Sequence, residues 1–388
     1  MRTTTQDPSR AQALEIVGNL PTPDYTVNFQ PTYNITESLV EAVHELLHTG
    51  PVTSFTDIDS IRRSLATERL IAIFGSCHEP VRLTQDLQEL ETPVIEGLDI
   101  LGNSRMSHAI AIHRGRGQST KPRTNGFQTL PSGLEVPSFQ GEAVNGQGLL
   151  ERDADPSRMV ASAVQSRDIE EALQLILGGH VPAAHEALLL AFEHSFLRTD
   201  PETGKRYLLS GDLPWIGVRT NNPLGHHVML LSGIENPVGV KLGANTSEEH
   251  IKQVTEALNP NREPGKLIFM PRVGLKNMDS LRTIAQAIRK HSENAKVVYD
   301  MHGVTYALED GTKIRDVGDI KKELTLGQTV LGEEGLRWNG LHLETVTDPN
   351  RLECIDQAGQ LPTHDGDIDP RLNPRQTEEV YNHFADIS

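Results

Sequence analysis

Four residues spread along the chain have the type and the setting of metal ligands. Cys77 follows the apolar run LIAIFG (Leu70–Gly75), and His302 follows VVYDM (Val297–Met301). Glu344 closes GLHLE (Gly340–Glu344), and Asp369 lies in GDIDPRLNP (Gly366–Pro374). A thiolate, an imidazole and two carboxylates form a mixed soft and hard set. That set suits Mn²⁺, Fe²⁺, Co²⁺ or Zn²⁺ better than Ca²⁺ or Mg²⁺. Each residue alone has a plainer reading: a small buried thiol, a satisfied polar histidine, a carboxylate paired with arginine, a helix cap. It is their joint placement, each at or near the carboxyl end of a strand-like run, that points to a metal centre.

Cations follow the same rule. Arg219 comes at the end of PWIGVRT, Lys241 at the end of PVGVK, and Arg272 at the end of IFMPR. Arg114 and Arg116 precede GQSTKPRT, which carries Lys121, Pro122 and Arg123, while Lys313 and Arg315 lie in DGTKIR shortly after His302. A lysine or arginine whose stem is anchored in an apolar strand cannot drift freely in solvent. Several aimed at one mouth call for a ligand with several negative charges, such as phosphate and carboxylate. A metal beside such a pocket fits Lewis-acid polarisation of a carbonyl with phosphorylated partners held in place. Aldol-type carbon–carbon bond formation is one such reaction.

The elements that must position these groups alternate. Strand-like runs fall at Leu70–Phe74, Ser107–Ile112, Leu213–Val218, Val238–Leu242, Leu267–Pro271, Lys296–Asp300 and Leu341–Thr345, with a weak one before Asp369. Helical periodicity falls at Asp168–Leu177, Ala184–Phe196, Glu248–Leu258 and Asp279–His291. Eight strands in βα alternation predict a (β/α)₈ barrel, and no G-x-G-x-x-G follows a strand to favour a doubly wound sheet. The stretch between Gly126 and Leu213 must hold a helical insertion. Residues 1–66 read as an N-terminal arm with short helices, and residues 67–388 as the catalytic barrel.

The 388 residues carry a net charge of −17, which argues against nonspecific nucleic-acid binding. There is no apolar run long enough for a membrane span and no leader-like apolar segment at the start. With only two cysteines, a reduced cytoplasmic setting is expected.

Ten motifs, in order, resemble the class II (plant-type) 3-deoxy-D-arabino-heptulosonate 7-phosphate (DAHP) synthases: GSCHE, GQSTKPRT, SFQGEAVNG, AHEALLLAFE, WIGVRT, NPVGVKLG, PRVG, DMHG, HLE and DPRLN. The resemblance runs from about Gly50 to the C-terminus. It implies a (β/α)₈ barrel that uses a divalent metal to condense phosphoenolpyruvate with erythrose 4-phosphate, releasing phosphate, in a shikimate-type or secondary-metabolite pathway. Carried over, Cys77, His302, Glu344 and Asp369 are the metal ligands. Arg114, Arg219, Lys241 and Arg272 grip phosphoenolpyruvate, and Lys121, Pro122 and Arg123 hold the sugar phosphate. Lys313 is a further pocket lysine, and Lys241, Arg272, His302 and Lys313 form the catalytic group. A homo-oligomer, dimer or larger, is implied by analogy.

The departures are specific. The family's acid in W-I-G-E-R-T is Val218 here, its Asp before the ligand cysteine is Ser76, and its Asn after D-P-M-H-G is Val304. These changes keep a second reading open, a relative that joins a different donor or acceptor, and a third, a non-catalytic homologue. The arm before Glu37 is short beside the N-terminal extensions of feedback-regulated members, which argues against control by aromatic amino acids.

Overall fold

A computed structural model describes residues 8–24, 27–76, 88–114, 120–123, 125–130, 132–308, 312–355 and 369–388. Eight parallel strands form one sheet: β1 (Ile71–Gly75), β2 (Ile110–His113), β3 (Ala184–Glu186), β4 (Leu213–Ile216), β5 (Val238–Gly243), β6 (Leu267–Arg272), β7 (Lys296–Asp300) and β8 (Gly340–Glu344). β1 pairs with both β2 and β8, and a parallel bridge from His113 to Ala183 joins β2 to the start of β3. The sheet therefore closes on itself as a (β/α)₈ barrel, which removes its edges.

Alternation along each strand fills two layers. Ile71, Ile73, Ile110, Ile112, Ala184, Leu213, Trp215, Ile268, Met270 and Val298 pack together inside the barrel. Ile61 and Leu65 of the helix Phe55–Leu65 join that cluster and stop the barrel's amino end. The opposite faces of the strands pack outward against helices. Phe74 lies so close to the helix Gln88–Asn103 that a Cβ on Gly97 would stand 2.4 Å from its ring. Each fully buried aliphatic side chain contributes about 1.5–3 kcal/mol, so this two-layer packing dominates the fold's stability.

The arm is helical over Pro8–Asn19 and Thr36–Thr49, and the two helices pack together. Ser247 caps the helix Glu248–Leu258 by accepting from the His250 N–H at 3.2 Å. The insertion holds the helix Ser157–Leu177 and the short hairpin Phe127–Thr129/Glu135–Pro137.

The eighth barrel strand is not where the sequence places it. Ala184–Glu186, expected to begin a helix running to Phe196, is β3, and the helix starts only at Leu190. Three strand residues run straight into the apolar stretch ALLLAF with no Gly or Pro between them, so the periodicities merge. The weak strand expected before Asp369 falls outside the described residues, and the barrel closes without it.

A polar network fastens the amino ends of β3 and β4. His180 Nδ1 meets Glu170 Oε1 at 2.6 Å and its Nε2 meets Asp212 Oδ1 at 2.9 Å, while Asp212 also accepts from Thr53 Oγ1 at 2.6 Å and the Ala183 N–H at 2.8 Å. Burial alone would lower the His180 pKa; the bonds to Asp212 and Glu170 outweigh it and raise it to about 10. A raised folded-state value means the stabilisation is complete below the unfolded value near 6.5 and is lost as pH rises through about 10. We expect His180→Gln to cost about 3 kcal/mol at pH 6, because two buried carboxylates lose the charged partner they share. Thermal melts should show the deficit shrinking between pH 7 and pH 10; a deficit constant across that range contradicts a charged His180.

Candidate active site

Every strand of the barrel sends at least one residue to a single cavity of about 890 Å³ at the carboxyl ends. Ser76 follows β1 and Arg114 follows β2; Glu186 closes β3; Trp215 and the Gly217–Arg219 loop come from β4. Lys241 comes from β5, Arg272 from the end of β6, His302 from just after β7, and Glu344 from the end of β8. Lys121, Pro122, Arg123 and the Phe127–Thr129 strand form the outer wall.

His302, Glu344 and Asp369 converge there, with one ligand atom from each lying within 4.8 Å of the others. His302 Nε2 is 2.9 Å from Glu344 Oε1 and 3.6 Å from Asp369 Oδ2. Glu344 Oε2 is buried and has no hydrogen-bond partner among the described residues. A nitrogen and two carboxylates so placed, with an unsatisfied buried oxygen among them, fit a divalent cation. Cys77, the fourth expected ligand, lies outside the described residues, as does Arg116.

Asp369 belongs to none of the eight barrel strands, and the strand expected before it falls outside the described residues. Its segment is laid against the end of β8: the Leu372 N–H donates to the Glu344 carbonyl at 2.9 Å, and the Val346 N–H donates to the Leu372 carbonyl at 2.8 Å. Lys313 donates to Asp369 Oδ1 at 2.7 Å and does not line the cavity, so it is a partner of the carboxylate and not an open pocket lysine.

The centre is charged where it is buried. Burial would raise the Glu344 carboxyl, but His302, Arg114 and Arg315 outweigh it and hold it well below the usual range. Arg114 Nη1 is 3.2 Å from Glu344 Oε1, and Arg315, wholly buried, is 3.7 Å from Oε2. Asp369 is held down at about 2: burial and Glu344 push it up, and His302, Lys313 and Arg315 overcome both.

Asp300 was missed by sequence reasoning. Its Oδ1 accepts from His302 Nδ1 and, at 3.1 Å, from the His302 N–H, while its Oδ2 lies 3.0 Å from Lys241 Nζ. A carboxylate on the far nitrogen is what fixes a ligand histidine's tautomer and ring orientation. Asp300 stays ionised although wholly buried, because His302 and Lys241 outweigh the burial penalty. Asking what orients His302 would have found it, two residues upstream in D-M-H. His342, also missed, sits between Trp215 and His302 at ring distances of 5.1 and 6.0 Å. Burial, with Lys241 nearby, takes its pKa down to about 3, so its ring is neutral.

The cations divide by setting. Lys241 is buried inside β5 with Nζ 5.3 Å from the Trp215 ring centre, and Arg114 lies over the same ring at 5.0 Å. Arg272 ends β6, lines the cavity, and makes no hydrogen bond or ion pair with described residues. Arg219, expected at a strand end, stands three residues past β4, is exposed, and donates to the Pro122 carbonyl at 3.3 Å. Arg123 donates through Nε to the Phe139 carbonyl at 2.6 Å, which fixes the Lys121–Arg123 wall.

A closed (β/α)₈ barrel with a cation-lined cavity and a His–Glu–Asp cluster at the carboxyl ends of its strands defines a barrel enzyme. The chain belongs to the class-II DAHP synthetase family, whose model matches residues 22–183 and 179–385, and it is thereby a carbon–carbon bond-forming enzyme. It is 32% identical over 371 residues to a "Probable phospho-2-dehydro-3-deoxyheptonate aldolase" of Pseudomonas fluorescens, covering 89% of this chain and 92% of that protein. Proteins named "Phospho-2-dehydro-3-deoxyheptonate aldolase" from Streptomyces coelicolor and Neurospora crassa are 29% and 28% identical, over 90% and 92% of this chain and 93% and 91% of theirs. Among the described residues no helix is long and apolar enough to cross a membrane.

Proposed function

We propose that the protein condenses phosphoenolpyruvate with erythrose 4-phosphate to give DAHP and phosphate, using a divalent metal. The observation that carries this reading is the His302–Glu344–Asp369 cluster opening into a cation-lined cavity of about 890 Å³. His302, Glu344, Asp369 and, from the sequence, Cys77 would hold the ion, and Asp300 and Lys313 orient two of them. A bound ion supplies Lewis acidity toward the acceptor's carbonyl. Lys241, Arg272, Arg114 and Arg219 receive the donor's phosphate and carboxylate. Lys121, Pro122 and Arg123 receive the acceptor's phosphate on the outer wall, so the two substrates meet between inner and outer cations. A turnover assay with both substrates and Mn²⁺ tests this. The enol absorbance should fall with release of one phosphate per product of DAHP mass. No loss of enol with active-site concentrations of Mn²⁺ would sink it.

A second reading, an altered acceptor, is favoured by Val218, which lines the cavity where the family pattern has an acid. Of two carboxylates that could substitute, Glu142 is engaged by Arg158 at 3.1 Å and does not line the cavity. Glu186 does line it, packed against Gly217, with Oε1 buried and without a hydrogen-bond partner among the described residues. A Cβ on Gly217 would stand 2.2 Å from that oxygen, so any larger residue there would displace the Glu186 carboxylate. We expect Val218→Glu to shift the kcat/KM ratio between erythrose 4-phosphate and other phosphorylated aldehydes by about tenfold, the scale of one pocket contact. The melting temperature should move little, since Arg219 adjoins the new carboxylate. An unchanged ratio would make Val218 irrelevant to acceptor choice.

A further inference from the structure

We propose that Arg371, gripped by Glu353, is a positioning residue that fixes Asp369 against the end of β1 and so sets the centre's affinity for its metal. The inference rests on the metal reading above and concerns two residues that do not line the cavity.

Arg371 follows Asp369 by two residues and is 5% exposed; Glu353 is wholly buried. Glu353 takes the guanidinium edge-on. Arg371 Nε donates to Oε2 at 2.9 Å and Nη2 to Oε1 at 2.7 Å, and the Arg371 backbone N–H also donates to Oε2 at 2.9 Å. Main chain and side chain of residue 371 are thus locked on one carboxylate. The remaining arm, Nη1, crosses to Ser76 Oγ at 2.8 Å, just past the end of β1 and on the cavity wall.

The other ties on this segment run elsewhere. Leu372 is bound to the end of β8, and Arg315 donates to the Pro370 carbonyl. Those bonds fasten the neighbours of Asp369 on the Glu344 side. Arg371 adds a link to the β1 side, so the segment carrying Asp369 is stretched between two strand ends. Only a planar fork serves this purpose. A lysine has one charged centre and cannot span both Glu353 oxygens and Ser76 together. A buried Arg–Glu pair is no general device for stability, since its desolvation cost rivals its attraction. Its use here is geometric: outer partners of this kind tune metal affinity by holding ligands in register.

Calorimetric titration of Mn²⁺ into metal-free wild type, Arg371→Lys, Ser76→Ala and the double variant tests this, with the melting temperature of each metal-free protein alongside. Arg371→Lys should weaken Mn²⁺ binding by about 10–100-fold and Ser76→Ala by a smaller factor. The double variant should bind no more weakly than Arg371→Lys, because both remove one contact. Metal-free Ser76→Ala should melt with wild type, which separates positioning from general stability. Wild-type affinity in both single variants, or fully additive losses in the double, would overturn the proposal while leaving the metal centre standing. If Arg371→Lys does not fold, Ser76→Ala decides alone, and unchanged affinity there overturns it. If wild type takes up no Mn²⁺, the metal reading falls and this inference with it.

Discussion

His302→Ala is expected to lose the metal and to lower kcat by about 10³-fold or more, because a lost Lewis acid costs several kcal/mol of transition-state stabilisation. His302 lies within reach of both carboxylates of the centre, at 2.9 and 3.6 Å. Its removal also deprives Asp300 and Glu344, both buried, of the ring that lies against each. Asp300→Asn is the informative companion. It keeps the ligand but changes the group that orients it, and loosens Lys241 as well, so metal affinity should fall by about 10–100-fold without vanishing. Metal analysis and Mn²⁺ titration of both variants check this. An Asp300→Asn protein that binds Mn²⁺ as tightly as wild type would mean that the Asp300 bond to His302 does nothing for the centre.

Arg272→Ala is expected to weaken phosphoenolpyruvate binding by about 2–5 kcal/mol while leaving the melting temperature unchanged. The two halves of that expectation have one cause. Arg272 lines the cavity with no carboxylate paired to it among the described residues, so its charge is available to an anionic donor and its loss strands no described partner. Lys241 makes the contrast. It is buried beside Asp300 at 3.0 Å, so Lys241→Met should cost both donor affinity and stability. Calorimetry with phosphoenolpyruvate, beside thermal melts, separates the two. Donor affinity preserved in Arg272→Ala would remove it from the donor site.

Much of this site is legible in the sequence because its groups adjoin apolar runs that can only be barrel strands. Lys241, Arg272 and Glu344 sit in or at the end of such runs, and a strand's carboxyl end in a closed parallel barrel has one destination. Asp369 and Arg219 were harder. Both lie on loops, where position depends on bonds made after the strand ends: Leu372 to Glu344, and Arg219 to Pro122. Lys313 looked like a pocket cation because charge alone does not say which carboxylate lies near. β3 was hidden because three residues are too short to show a period of two before the apolar helix begins. Asp300, Glu353 and Arg371 carry no motif of their own, and only contact distances reveal that they bond to His302 or to the segment beside Asp369.

The most direct test is to strip the protein with a chelator and titrate Mn²⁺ back in the presence of phosphoenolpyruvate and erythrose 4-phosphate, recording phosphate release. The expected result is no turnover in chelator and a rate that climbs to a plateau at one Mn²⁺ per chain, with His302→Ala silent throughout. Full turnover in chelator, or a His302→Ala protein as fast as wild type, would contradict a metal-dependent condensation at this centre.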